Sequence, residues 1–216
     1  VMGATEDGLL RFRPIGSIDP RVIVSKRVLV GEDLIPGVIG AMAIHLQSVA
    51  DRERVLDYDG LFIDIGAKDK DEALGKCPAG TYAYFDTPYM TFGDGFVCAK
   101  ALDDRVGCYT ILELLKDSYP CDVTFAFVTL EEGGMRGSQG AAFAIQPDIA
   151  INLEGTAAND LGNVDSQFQV CCPGKGVAVS FMDKSSISQR RLFQKMLAIA
   201  RENDVPHQVK RGVTGS

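Results

Sequence analysis

Two textures of hydrophobic patterning divide the chain. Up to about residue 85 the apolar segments are short and cut by Gly, Pro and Asp: LLRFRPIG, RVIVSKRVLVG, IPGVIGAMAIHL and LFIDIGA. Short apolar runs between turn residues predict strands, and enough of them to form a small β-barrel or closed sheet. VMGAT reads as a strand under way, with a turn at EDG and LLRFRP as its partner. One short helix is expected in DKDEALGK, capped by Asp69 or Asp71 and stopped at Gly75. From about residue 86 the runs lengthen. LDDRVGCYTILELLKDSY places apolar residues at 106, 109, 112 and 115, a helical spacing that follows an Asp cap. CDVTFAFVTL, DIAINLE and GVAVSFMD are near-continuous apolar runs of strand length, as expected of strands covered on both faces. SQGAAFAI predicts a short helix. SISQRRLFQKMLAIAREND predicts an amphipathic one, with Phe193, Met196, Leu197 and Ile199 facing a core. The expected fold is α/β: a parallel-rich sheet with helices on both faces, in residues 86–216, plus a small β-barrel-like domain in residues 1–85.

Composition narrows the class. A chain of 216 residues that is 46% hydrophobic can bury a core in one large domain or two small ones. No apolar run approaches the roughly 20 residues that span a bilayer, and no basic stretch followed by an apolar one opens the chain. A net charge of −7, with acids and bases interspersed, argues against nucleic acid as the main partner. The six cysteines form no CxxC pattern, and several sit in apolar runs. Reduced thiols in a cytoplasmic protein are the expectation, and a zinc site built from cysteine is not. Both ends read as interrupted elements, so a piece of a longer protein is expected.

The candidate chemistry lies in TLEEGGMRGSQG, where Glu131 and Glu132 follow an apolar run. Glu154 follows the next expected strand, and Asp103 and Asp104 open the helix before the first one. In a βαβ unit, strand C-termini and helix N-termini share one edge of the sheet, and that edge holds the ligand site. The five acids are therefore expected to converge there. Clustered carboxylates repel unless protons or cations lie among them. Two metal ions about 3.5–4 Å apart, with a spare carboxylate as base for an attacking water, make a hydrolytic device. Taken singly, each acid has a bland reading: an Asp at a helix start is a cap, and a Glu after a strand is a solvated loop residue. The ordered set carries the argument. A phosphate-cradling loop lacks both glycine signatures, and two anions precede it. A glycosidase needs carboxyl groups about 5–9.5 Å apart across a sugar. Glu131 and Glu132, as strand neighbours pointing to opposite faces, are a poor pair, although Asp103 with either Glu would serve.

KALDDRVG (100–107), TLEEGGMRGSQGA (129–141) and NLEGTAANDLG (152–162) together resemble the tetrahedral, or glutamyl/deblocking, aminopeptidase family of dinuclear metallopeptidases. LLRFRPIG, IPGVIG and LFIDIGAKDKDEA look like that family's second domain, so the resemblance covers the whole chain. Members are also labelled cellulase M or endoglucanase. The resemblance implies a zinc-peptidase-like fold, two zinc or cobalt ions, and removal of N-terminal residues from short peptides. It implies roles as well. Asp103 matches the carboxylate that bridges the metals, and Asp104 the residue joined to it by a cis peptide. Glu131 matches the general base, and Glu132 and Glu154 match ligands of one metal each. Residues 1–85 would form a lid and dimerisation domain, with self-association up to a hollow dodecamer.

The family pattern also uses two histidines. One precedes the second domain in an H-x-D segment, and the other follows a VTG segment; the chain contains neither. His45 and His207 match no family ligand and are expected to be structural or surface residues. The 216 residues alone are thus expected to bind metal weakly and to be inactive. A catalytically dead scaffold of the same fold is the second hypothesis, excluded if flanking sequence supplies both histidines. The glycosidase is the third, supported by β-glucan hydrolysis that survives a chelator.

Overall fold

The computed structural model describes residues 1–212. The described residues divide into two compact units: residues 1–100 with 124–148, and residues 101–123 with 149–212.

In the first unit, β1 (Gly3–Ala4), β2 (Leu10–Arg11), β3 (Arg27–Val30), β4 (Ile35–Ala41), β5 (Leu61–Asp64) and β6 (Ala83–Phe85) form one sheet. Its order is β1-β2-β5-β4-β3-β6, and every pairing in it is antiparallel. Period-two alternation sends one side of each strand inward. Leu10, Val28, Val30, Ile39, Leu61 and Ile63 are buried together with Phe12 and Ile23. Gly37, opposite Val28 on β4, leaves the space that Ile63 fills. A Cβ on Gly37 would come within 2.9 Å of the Ile63 methyl.

A short helix α1 (Val49–Glu53) starts with Ser48 and Asp51 bonded to each other in a capping box. The next, α2 (Lys70–Lys76), covers the core with Ala73 and, just past its end, Cys77. Asp69 caps α2, as the sequence predicts, by accepting the Glu72 N–H at 2.8 Å. The hairpin β7 (Met90–Phe92) and β8 (Phe96–Cys98) follows.

The remaining elements are α3 (Leu102–Leu114), α4 (Arg136–Ile145), β9 (Val177–Val179), α5 (Arg190–Glu202) and β10 (His207–Val209). Of these, α4 belongs to the first unit and the others to the second. In the second unit β9 and β10 pair in parallel, with α5 between them in sequence. Leu197 and Ala200 of α5 are buried, as are Val170, Cys171 and Val179. Gln208 ties down the loop before β9: its Oε1 accepts the Cys172 N–H at 2.9 Å, and its Nε2 donates to the Cys172 and Gly176 carbonyls.

The fold is mixed α/β, but it corrects the sheet expectation. The main sheet is antiparallel, not parallel-rich, and β9–β10 is the one parallel pair among the described residues. A parallel pair needs a long crossover connection, whereas the tight turns at residues 5–9 and 31–34 make β1–β2 and β3–β4 antiparallel hairpins. The expected closed barrel is an open sheet. The segments that flank its edges β1 and β6 meet where the Gly80 N–H donates to the Val1 carbonyl at 2.9 Å. The expected strands at 123–130 and 149–154 have no ladder. A strand is defined by the partner that takes its backbone hydrogen bonds, and an apolar run records only a tendency to be covered. The same holds for α3. Its stripe forms the predicted helix, yet Val106 and Tyr109 are 56% and 64% exposed. On α5, Leu197 is buried as expected while Ile199 faces out.

Candidate metal centre

The start of α3 is not regular helix. Ala101 has a left-handed backbone (φ 55°), the Asp103–Asp104 peptide bond is cis, and both aspartates have non-helical angles. The regular turns begin after Asp104. Its Oδ1 accepts the Gly107 N–H at 2.9 Å, so Asp104 caps the helix. Gly107 is buried against it, and a Cβ there would lie 2.1 Å from Asp104 Oδ2. Glu154 ends the apolar run from 149, and its Oε1 accepts the N–H of Gly155 at 3.2 Å.

Asp103, Asp104 and Glu154 come together within the second unit. One oxygen of each lies within 4.8 Å of the other two. Asp103 and Glu154 are exposed and Asp104 is half-buried. Three carboxylates at this spacing repel one another in the absence of a proton or cation. An all-oxygen donor set suits a hard divalent ion, and it accepts zinc or cobalt where other ligands complete it. The donor set therefore fits a metal ion.

Glu131 and Glu132 belong to the first unit, in the turn that leads into α4. Leu130 is left-handed (φ 60°), and the Glu131 carbonyl accepts the N–H groups of Gly134 and Met135 at 2.9 and 2.8 Å. Glu131 is half-buried and Glu132 exposed. Gly137 serves close backbone approach: a Cβ there would lie 2.1 Å from the Thr129 carbonyl oxygen.

His45 sits exposed in the 3-10 turn Ile44–Leu46. His207 opens β10, with Nδ1 2.8 Å from the Val205 carbonyl. Among the described residues neither joins the acidic group. The VTG segment lies outside the described residues. Sequence reasoning gave no role to Gly107 or Gly155. The available signals were a glycine three residues after a capping Asp and a glycine directly after Glu154.

The putative aminopeptidase FrvX of Escherichia coli K12 is 31% identical over 217 residues, covering 98% of this chain and 61% of the relative. The structure of an aminopeptidase from the archaeon Desulfurococcus kamchatkensis matches with a TM-score of 0.92 at 29% identity, over 100% of this chain and 61% of that one. The TET1 peptidase of Pyrococcus horikoshii, which can assemble into a tetrahedron or a large octahedral shell, matches with a TM-score of 0.81 at 31% identity, over 100% of this chain and 65% of that one. The chain thus spans about three fifths of the length of the relatives it matches. The description of M42 glutamyl aminopeptidase fits residues 1–216 from end to end, and the chain belongs to that family.

Proposed function

We propose that this chain is the greater part of a metal-dependent aminopeptidase that releases N-terminal residues from short peptides. The observation that carries the reading is the meeting of Asp103, Asp104 and Glu154 oxygens within 4.8 Å in a chain of the M42 family. In this reading Asp103, Glu132 and Glu154 would hold two divalent ions, zinc or cobalt, with Asp103 as the shared ligand and Glu132 and Glu154 serving one ion each, and Asp104 would support the turn. The ions, when bound, supply Lewis acidity that polarises the scissile carbonyl and lowers the pKa of a water. Glu131 is the general base: it takes a proton from that water as its oxygen attacks the carbonyl carbon. It then returns the proton to the leaving nitrogen as the C–N bond breaks.

Residues 1–85 serve as lid and dimerisation domain and residues 86–216 as the catalytic domain. Self-association of the kind described for the TET1 relative is part of the proposal, as is a cytoplasmic location. Among the described residues no helix is long and apolar enough to cross a membrane.

The test, on the full-length protein, is metal content together with release of N-terminal amino acids from short peptides, before and after chelation. Close to two zinc or cobalt ions per chain and chelator-sensitive release support the proposal. Metal-free protein, or β-glucan hydrolysis that survives chelation, rejects it.

A further inference from the structure

We propose that Gly155 is a positioning residue: by having no side chain, it fixes where the Asp103 carboxylate stands in the acidic group. The inference rests on the metallopeptidase reading and deepens it. Gly155 is in contact with two of the three clustered acids. Its N–H donates to Glu154 Oε1 at 3.2 Å. On its other side, a Cβ at this position would lie 2.7 Å from Asp103 Oδ1, 2.8 Å from its Cγ and 3.2 Å from its Cβ. These three nearest atoms all belong to Asp103. Gly155 also lies outside the left-handed region, so an alanine there meets no left-handed strain. The tightest contacts of an added methyl group fall on the Asp103 carboxylate.

The size of that effect decides its consequence. Asp103 has a short side chain with two torsions, and its Cβ is held by the backbone. To reach ordinary van der Waals separation from an added methyl, Oδ1 must retreat by roughly half an ångström or more. Metal sites tolerate changes of about 0.2 Å in ligand distance. A carboxylate displaced this far no longer serves as a bridging ligand. The bond from the Gly155 N–H to Glu154 is untouched by the substitution, so Glu154 stays in place while Asp103 moves.

The experiment compares the unaltered full-length protein with Gly155→Ala and with Gly75→Ala, where an added Cβ meets nothing within 4 Å. Cobalt(II) affinity is measured by calorimetric titration and the ligand field by visible absorption, and the metal-free proteins are melted in parallel. Gly155→Ala is expected to weaken cobalt binding by about 10- to 100-fold and to alter the absorption bands, with an unchanged metal-free melting midpoint. Gly75→Ala is expected to bind as the unaltered protein does. Unaltered affinity and spectrum in Gly155→Ala overturn the inference alone. Weaker binding accompanied by a matching loss of metal-free stability assigns Gly155 a structural role and also overturns it. Should Gly155→Ala fail to fold, the double variant with Asp103→Ala decides: recovered folding places the clash at Asp103 as proposed, and continued failure rejects it. No cobalt binding by the unaltered protein defeats the metallopeptidase reading, and this inference falls with it.

Discussion

Asp103, Asp104 and Glu154 are brought together by backbone turns rather than by a sheet ladder, and this gives each acid a distinct signature on substitution. Replacing Asp103 or Glu154 with the corresponding amide removes a charge from the proposed ligand set; metal analysis of the dialysed full-length variants is expected to find fewer ions per chain. Glu131→Gln is expected to retain its metal while kcat falls by about 10²- to 10⁴-fold, the usual contribution of a general base. A Glu131→Gln variant with full activity would remove the base from the proposal. Asp104 combines two roles. It joins the acidic group and also caps α3 through the Gly107 N–H, so its replacement is expected to lower helix stability as well as metal affinity. The identities of these acids were legible from residue type and order. The glycines that seat them were not, because a glycine's role lies in what approaches it.

At the scale of elements, caps and buried alternation account for the first unit. Asp69→Ala removes the acceptor for the Glu72 N–H and is expected to cost about 1 kcal/mol in chemical denaturation. Ile63, 1% exposed at the centre of the sheet core, is the sharper test: Ile63→Ala is expected to cost about 2–5 kcal/mol. The 3-10 turn Pro20–Val22 carries a pH signature. Hydrogen bonds from the Arg21 side chain hold the Asp19 carboxyl at a pKa of about 2, below its ordinary 3.8. A folded-state value below the unfolded one means that the contribution is complete above about pH 4 and is lost as pH falls through about 2. Asp19→Asn is therefore expected to melt below the unaltered protein at pH 7, with the gap shrinking as the pH falls from about 4 through about 2. A gap of the same size at pH 7 and pH 2 would show that the charge is not its source. The helices α2, α3, α4 and α5 lay close to where spacing and caps put them. Of the strands expected in the α/β portion, the one in GVAVSFMD formed as β9, while those at 123–130 and 149–154 did not, since strand pairing needs a partner that local sequence does not specify.

For the molecule as a whole, the proposal makes peptide release metal-dependent. Chelation is expected to abolish it, and zinc or cobalt is expected to restore it, with no β-glucan hydrolysis in either state. Failure of restoration in protein that remains folded would separate the metal from the activity. The sequence by itself determined a great deal at this scale: an acidic chain with an α/β pattern, a β-rich first portion, and the ordered motifs around Asp103, Glu131 and Glu154 that mark its family. These features are local in the chain, and periodicity, turn chemistry and motif order report them directly. Tertiary structure decided the rest. It set the antiparallel order β1-β2-β5-β4-β3-β6 and left the apolar stripe of α3 exposed. It also gathered Asp103, Asp104 and Glu154 into one acidic group and set Gly155 against Asp103. Each of these depends on which distant segments meet, and the free energy of that meeting comes from packing and backbone hydrogen bonds between residues far apart in sequence.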